Sequence, residues 1–173
     1  MVLVEGEEDR AALLGSAFLK EPPLDPESRG IAIIPANSKN NLDRLYIIFS
    51  GLGIPIYLVW DSDHGKKDAK PEYNRALLRL VSEAPEDWPE KITPTFACFK
   101  KDLMTTLRSE LGPQNYEKYL AQCQEEFGYK EGRDCSKNPQ VMETLLRKAK
   151  DEGHSSSSLA SIVEHVVNLL DTA

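Results

Sequence analysis

Two aspartates one residue apart, Asp61 and Asp63, close the apolar run Ile56-Tyr57-Leu58-Val59-Trp60. Five successive apolar residues, β-branched and aromatic among them, predict a strand buried on both faces of a parallel sheet. In open α/β sheets, ligands collect just beyond the carboxyl ends of the strands. Residues i and i+2 of an extended segment point the same way, so Asp61 and Asp63 are expected to converge on one cation. Unpaired carboxylates that close raise each other's pKa unless a metal or a base neutralises them. Hard oxygen ligands suit Mg²⁺ or Mn²⁺. The plainer reading is that Asp61 caps the next helix and Ser62-Asp63-His64-Gly65 is a polar turn.

A second strand end carries the same chemistry. Glu5 follows the apolar stretch Val2-Leu3-Val4, and Asp9 lies one helical turn further on. If the first and third strands are neighbours in a parallel sheet, Glu5 emerges at the same edge as Asp61 and Asp63, and Asp9 faces the same crevice. Such a set can hold two divalent ions, which suits in-line attack on a phosphodiester. The ions would also neutralise carboxylates that otherwise repel a polyanion. Glu7 and Glu8, in the first helical turn, read as helix-dipole residues instead. His64 reads as a solvated turn residue, and His154 and His165 as surface residues. Lys66, Lys67 and Lys70 form a basic run beside the aspartates that either holds a nucleic-acid backbone or is simply solvated. Tyr116, Tyr119, Trp60 and Cys98 read as packing residues.

These side chains need a scaffold, and the patterning supplies one. Val2 to Val4 is a strand, and Glu7 to about Lys20 repeats at helical spacing. Pro22, Pro23 and Pro26 make a loop. Gly30 to Pro35 predicts a second strand, and Asn37-Ser38-Lys39-Asn40-Asn41 a polar turn. A helix is expected over Leu42–Leu52, closed by Gly53, then the strand Ile54–Trp60. Leu77, Leu78, Leu80 and Val81 stripe another helix, and Ala84 to Pro89 reads as a turn-rich linker. After a fourth strand, Thr95–Phe99, only helices follow: Leu103–Leu111, Pro113–Phe127, Pro139–Ala149 and Leu159–Leu170, with Pro113 and Pro139 at first-turn positions. The order β-α-β-α-β-α-β followed by helices predicts an α/β fold: a parallel sheet with right-handed crossovers and helices on both sides.

The length of 173 residues fits one domain, or one domain with a small helical appendage. No run approaches the roughly 18 apolar residues of a membrane span, and the first residues lack the pattern of a signal peptide. Three cysteines without a CxxC pair suggest neither a disulfide framework nor a zinc site, but reduced thiols in a cytoplasmic protein. A net charge of −7 argues against holding nucleic acid by bulk positive charge. It leaves room for acidic residues grouped around metals, with basic ones along an approach path. Because a strand begins almost at Met1, an excised piece of a longer protein is expected.

Val2-Leu3-Val4-Glu5-Gly6 followed by Leu58-Val59-Trp60-Asp61-Ser62-Asp63 resembles the TOPRIM domain of type IA and II topoisomerases, bacterial primases and several nucleases. It is more similar still to the TOPRIM nuclease domain of the OLD (overcoming lysogenization defect) family. That family shows LVEGxxD at the first strand, a lysine-containing turn like residues 37–41, and "GIP" before the DxD strand, here Gly53-Ile54-Pro55. It also has an aromatic strand running into an acidic helix start, here Phe96 to Leu103, and a "KP"-like helix entry, here Lys137-Asn138-Pro139. The resemblance implies a Rossmann-like TOPRIM core over 1–112 and a helical extension over 113–173, packed on or capping it.

The resemblance further implies a Mg²⁺- or Mn²⁺-dependent DNA endonuclease working by a two-metal mechanism. Glu5, Asp9, Asp61, Asp63 and Asp102 would be its metal ligands, though Met104 stands where a related sequence can carry Glu. Glu5, Asp61, Asp63 and Lys137 would be the catalytic set, with Lys137 offsetting transition-state charge. Lys39, Lys66 and Lys67 would contact DNA. The family also carries an ATPase domain with a GxxxxGK[ST] loop ahead of the TOPRIM part. No such loop occurs here, so an ATPase domain of the parent chain is the expected partner and no ATP site is expected. Two other classes fit the aspartates: a haloacid-dehalogenase-type phosphatase with Asp61 as nucleophile, and a non-catalytic TOPRIM-like assembly domain.

Overall fold

The computed structural model describes residues 1–169, with only the backbone of Arg133. The elements run β1 (Val2–Val4), α1 (Glu7–Phe18), a 3-10 turn (Glu27–Arg29), β2 (Ile33–Pro35), α2 (Lys39–Gly51), β3 (Tyr57–Asp61) and α3 (Pro71–Leu80). They continue as β4 (Lys91–Ile92), β5 (Phe96–Phe99), α4 (Leu103–Leu111), α5 (Pro113–Phe127), α6 (Gly132–Cys135), α7 (Pro139–Asp151) and α8 (Ser157–Asn168). One sheet has the strand order β2-β1-β3-β5-β4. Its first four strands are parallel, and β4 pairs antiparallel to β5 at the edge. This is a mostly parallel α/β sheet.

Alternation along the strands divides the core. Val2, Val4, Tyr57, Val59, Ala97 and Phe99 face α1, α4 and the C-terminal helices. Leu3, Leu58, Trp60, Phe96 and Cys98 face the opposite way, against Leu42 of α2 and Leu77 and Leu78 of α3. Both faces are therefore covered, as a parallel sheet requires. Helix α1 is the central helix. Ala11, Ala12, Leu13, Leu14 and Ala17 are all buried around its circumference, because it lies between the sheet on one side and α7 and α8 on the other.

Several expectations shift in detail. The residues read as a polar turn, Lys39 to Asn41, form the first turn of α2, whose N-cap Ser38 accepts the Asn40 N–H at 3.3 Å. β2 and β3 begin later than the apolar pattern. In β3 the approach is set by Pro55, which has no N–H to give a ladder and whose carbonyl instead accepts the Met1 amino group at 2.7 Å. β4 was hidden in a segment without periodicity, being two residues long just after Pro89. α6 was hidden for the same reason, a single polar turn. The expected end of the last helix at Leu170 lies outside the described residues. Cys98, Cys123 and Cys135 are buried free thiols. His165 is half-buried, its ring stacked on Tyr57 with centroids 6.2 Å apart. Among the described residues no helix is long and apolar enough to cross a membrane.

Gly15 marks the closest crossing of α1 and α7. A Cβ there would sit 2.7 Å from the Glu143 backbone nitrogen and 2.9 Å from the Met142 carbonyl carbon. Gly to Ala inside a helix ordinarily stabilises by about 1 kcal/mol. Here overpacking against backbone reverses the sign. Gly15→Ala is expected to destabilise by roughly 1–3 kcal/mol, read as a lower urea midpoint at unchanged slope. An unchanged or raised midpoint would refute this account of the crossing.

Candidate functional site

The first requirement of the sequence reading is met by the strand order. β1 and β3 are parallel neighbours, with Val2 opposite Tyr57 and Leu3 opposite Leu58. Glu5 and Asp61 therefore leave the sheet at one rim, where the Asp61 N–H donates to Glu5 Oε2 at 3.3 Å. α1 starts at the same rim. Gly6 is its N-cap, and Asp9, 7% exposed, turns back to accept the Gly6 N–H at 2.9 Å. β3 also pairs with β5, and the chain leaving β5 enters α4 through its N-cap, Asp102, which accepts the Thr105 N–H at 2.6 Å. The next amide, Leu103 N–H, donates to Asp61 Oδ1 at 3.0 Å.

These residues surround one cleft of about 400 Å³, lined by Glu5, Asp9, Asp61 and Asp102, with Lys66 and Lys137 at its edge. Met104 lines it too. So do Glu7 and Glu8, which the sequence assigned to the helix dipole. Glu8 accepts the Ser136 hydroxyl at 2.9 Å, a contact that spacing along the chain could not suggest. Burial and mutual repulsion set the electrostatics. Desolvation, then its acidic neighbours, pushes Asp61 up to about 9. The same causes push Asp9 up to about 7, against the favourable Gly6 N–H. Glu5 is raised chiefly by burial. These groups are short of positive charge.

Asp63 does not converge with Asp61. The extended geometry ends at Asp61. Ser62 is buried, its N–H given to Phe99 O at 2.7 Å and its hydroxyl to Pro89 O at 2.5 Å. Asp63 then adopts a left-handed φ of 62°, which cancels the i, i+2 rule. Its carboxylate turns to Lys39 and to Lys66, the latter at 2.5 Å. Burial opposes ionisation there, but the two ammoniums hold Asp63 below the usual carboxylate range. Asp63, Lys39 and Glu5 line a second cleft of about 210 Å³, so Glu5 borders both.

The other basic residues are distributed around this rim. Lys39 is buried, and besides Asp63 it reaches Asn74 Oδ1 at 3.4 Å. Lys66 lies 3.9 Å from Asp102 as well. Lys67 is exposed on the loop, and Lys137 pairs with Asp134 at 3.2 Å. Tyr116 and Tyr119 are buried packing residues. His64 stands against Trp88, ring centroids 5.3 Å apart. Asn74 was not singled out by sequence, yet its fully buried amide donates to Ser62 O at 2.9 Å and Asp87 O at 2.8 Å. A signal existed: Asn74 occupies the first place of the stripe Asn74, Leu77, Leu78, Val81, a polar residue on an apolar face.

Among the described residues, no three His, Cys, Asp or Glu side chains stand in a metal-holding group. In donor chemistry the first cleft nevertheless fits a divalent ion: four carboxylates, oxygen only, partly desolvated and outnumbering the lysines at its edge. Glu5, Asp9, Asp61 and Asp102 are the residues that would hold it.

Residues 1–63 match the family described as overcoming lysogenization defect protein-like, TOPRIM domain. That segment is similar to an OLD-like TOPRIM domain. It contains Glu5, Asp9, Asp61 and Asp63, while Asp102 and Lys137 lie beyond it. Among solved structures, the C-terminal region of the Xanthomonas campestris pv. campestris OLD protein is similar over 99% of this chain and 95% of its own. Its TM-score is 0.58 and its identity 16%. The C-terminal region of the Burkholderia pseudomallei OLD protein is similar over 99% and 97%, with a TM-score of 0.57 and 15% identity. These likenesses show that the fold of an OLD C-terminal region extends through the whole chain. No curated protein matches the sequence.

The raised carboxylates give the first cleft a pH signature. A carboxyl group whose folded pKa exceeds its unfolded value contributes stability below the unfolded pKa, near 3.8, that is lost as pH rises through the folded one. In EDTA, the melting temperature is expected to fall as pH rises from about 4, more steeply up to about 7 and less steeply on towards about 9. Asp61→Asn should flatten that fall by at least about 3 °C, the shift that about 1 kcal/mol gives a domain of this size. Mg²⁺ or Mn²⁺ should restore the wild type at high pH and leave the variant unmoved. Superimposable curves for the two proteins would refute the assignment of charge.

Proposed function

We propose that this chain is a Mg²⁺- or Mn²⁺-dependent DNA endonuclease domain that hydrolyses phosphodiesters with two divalent ions. The observation that carries this reading is the meeting of Glu5, Asp9, Asp61 and Asp102, from three separate places in the chain, in one cleft edged by Lys66 and Lys137. Bound divalent ions would supply a hydroxide nucleophile at neutral pH and stabilise the leaving oxygen. The protein's own part is orientation. Leu103 N–H, Gly6 N–H and Asp61 N–H fix the carboxylates of Asp61, Asp9 and Glu5 respectively. Lys66 and Lys137 would meet non-bridging phosphate oxygens and offset the charge that grows on them. Lys39 and Lys67 would serve the flanking backbone. Asp63 would reach an ion only by giving up an ammonium, so its first role is to hold Lys39 and Lys66 at the rim. The likeness to C-terminal regions of OLD proteins supports a place beside the ATPase domain that the resemblance implies.

The loose spacing of the acids favours one second reading, an assembly domain that binds ions without cutting. A plasmid-nicking assay run beside calorimetric ion titration separates the two. Asp61→Ala is expected to cut nicking more than roughly 100-fold, exceeding the 10- to 100-fold typical of residues that only support metal ligands. Asp63→Ala is expected to fall within that smaller range. Ion uptake by the wild type without nicking would replace the nuclease reading with the assembly one. Full nicking by Asp61→Ala would remove both the cleft and its proposed chemistry.

A further inference from the structure

Past the end of the β3–β5 pairing, the two chains keep running side by side. His64 N–H donates to Lys100 O at 2.9 Å, and Asp63 N–H to Lys101 O at 3.2 Å. Segments 63–70 and 100–102 thus form one rim holding five exposed lysines (Lys66, Lys67, Lys70, Lys100 and Lys101) against three aspartates, Asp63, Asp68 and Asp102, of which the first and last lie beside Lys66. In a chain of net charge −7 this grouping is a local reversal. A third segment is sewn to it. Ser62 Oγ donates to Pro89 O, and Asn74 bridges Asp87 O to Ser62 O, so residues 87–89 are held against the turn that follows Asp61. Between those anchors stands Trp88. It is half-buried and belongs to none of the apolar clusters of the fold. The ring set against it is His64, edge-on at 68°.

We propose that this rim is a landing surface for an unpaired stretch of nucleic acid, with Trp88 and His64 taking base faces and the lysines taking phosphates. Aromatic rings beside a basic track recognise single strands because every unpaired base has a free face, while a duplex hides its faces in the stack. A tryptophan clamped through its neighbours' carbonyls is pre-organised, so little ordering cost is left for binding. The identity of the polyanion rests on the nuclease reading. The surface deepens that reading by naming the strand form delivered to the cleft.

Binding is measured by fluorescence anisotropy of labelled oligo(dT) and of a blunt duplex, on the full chain in Ca²⁺. Stacking worth about 1–3 kcal/mol per base means that Trp88→Ala should weaken oligo(dT) binding roughly 5- to 150-fold, with duplex binding changed less than about twofold. Trp88→Phe, which keeps a ring and guards against a folding defect, should retain most of the affinity. His64→Ala should lose affinity in the same strand-selective sense. Because the other tryptophan, Trp60, is fully buried, oligo(dT) should quench wild-type emission and leave Trp88→Phe unquenched. Equal weakening of both ligands, or no weakening of oligo(dT), overturns the surface. Nicking is scored separately. Mg²⁺-dependent cleavage by wild type that Trp88→Ala leaves indifferent to strand form sinks this proposal but not the nuclease. Trp88-dependent binding by a protein that never cuts does the reverse.

Discussion

Backbone amides, not cations, hold Glu5, Asp9 and Asp61 in place. Asp61 takes the amide of Leu103, the first residue of α4, Asp9 the amide of the α1 cap, and Glu5 the amide of Asp61 itself. Each N–H lies at a strand end or a helix start, where backbone donors are free and the helix dipole favours negative charge. Three partial positive charges are enough to orient three carboxylates but not to neutralise them, which is why burial can push Asp9 and Asp61 upward despite good hydrogen bonds. The strand order is what puts these donors together. With β1 between β2 and β3, and β3 between β1 and β5, three chain exits share one rim.

That geometry rests in turn on α1, which cannot tilt without moving Asp9. It is fixed from both sides, by the sheet and by α7 at Gly15, where the backbones are in near contact. The C-terminal helices consequently do more than cover apolar surface. Ser136, at the end of α6, fixes Glu8, and Lys137 comes from the next residue to form an edge of the cleft. The wall opposite the strand ends is thus supplied by a segment more than 120 residues away in the chain, reported by the Ser136–Glu8 separation of 128.

The legible parts of the sequence were those with a repeating physical signal. Continuous apolar runs marked the buried parallel strands, and glycine or proline at helix ends marked α4, α5 and α7 within a residue or two. The carboxylates at strand ends followed from the general placement of sites in parallel sheets, and the pairing of β1 with β3 brings Glu5 and Asp61 together as that rule implies. What failed was the extrapolation of strand geometry beyond the strand. Ser62 is swallowed by contacts with Phe99 and Pro89, neither of which lies near it in sequence, and the turn it forces sends Asp63 to the other side. Lys39 was placed in a turn because asparagines surround it. Its burial depends on Asp63 and Asn74, again tertiary partners that no local pattern encodes. Glu8 looked like a dipole residue because its partner lies in a different part of the chain.

The division between Asp61 and Asp63 gives the rim an electrical asymmetry. On the Asp61 side, carboxylates outnumber their counter-charges and are driven towards protonation. On the Asp63 side, one carboxylate has two ammoniums and is driven towards ionisation. Glu5 borders both clefts, feeling Lys39 as its chief favourable charge and Asp63 as an opposing one. Any cation entering the first cleft strengthens the ionised form of Glu5 and so competes with Lys39 and Lys66 for the same negative field. Because the two clefts share one residue, their charge states are coupled through it.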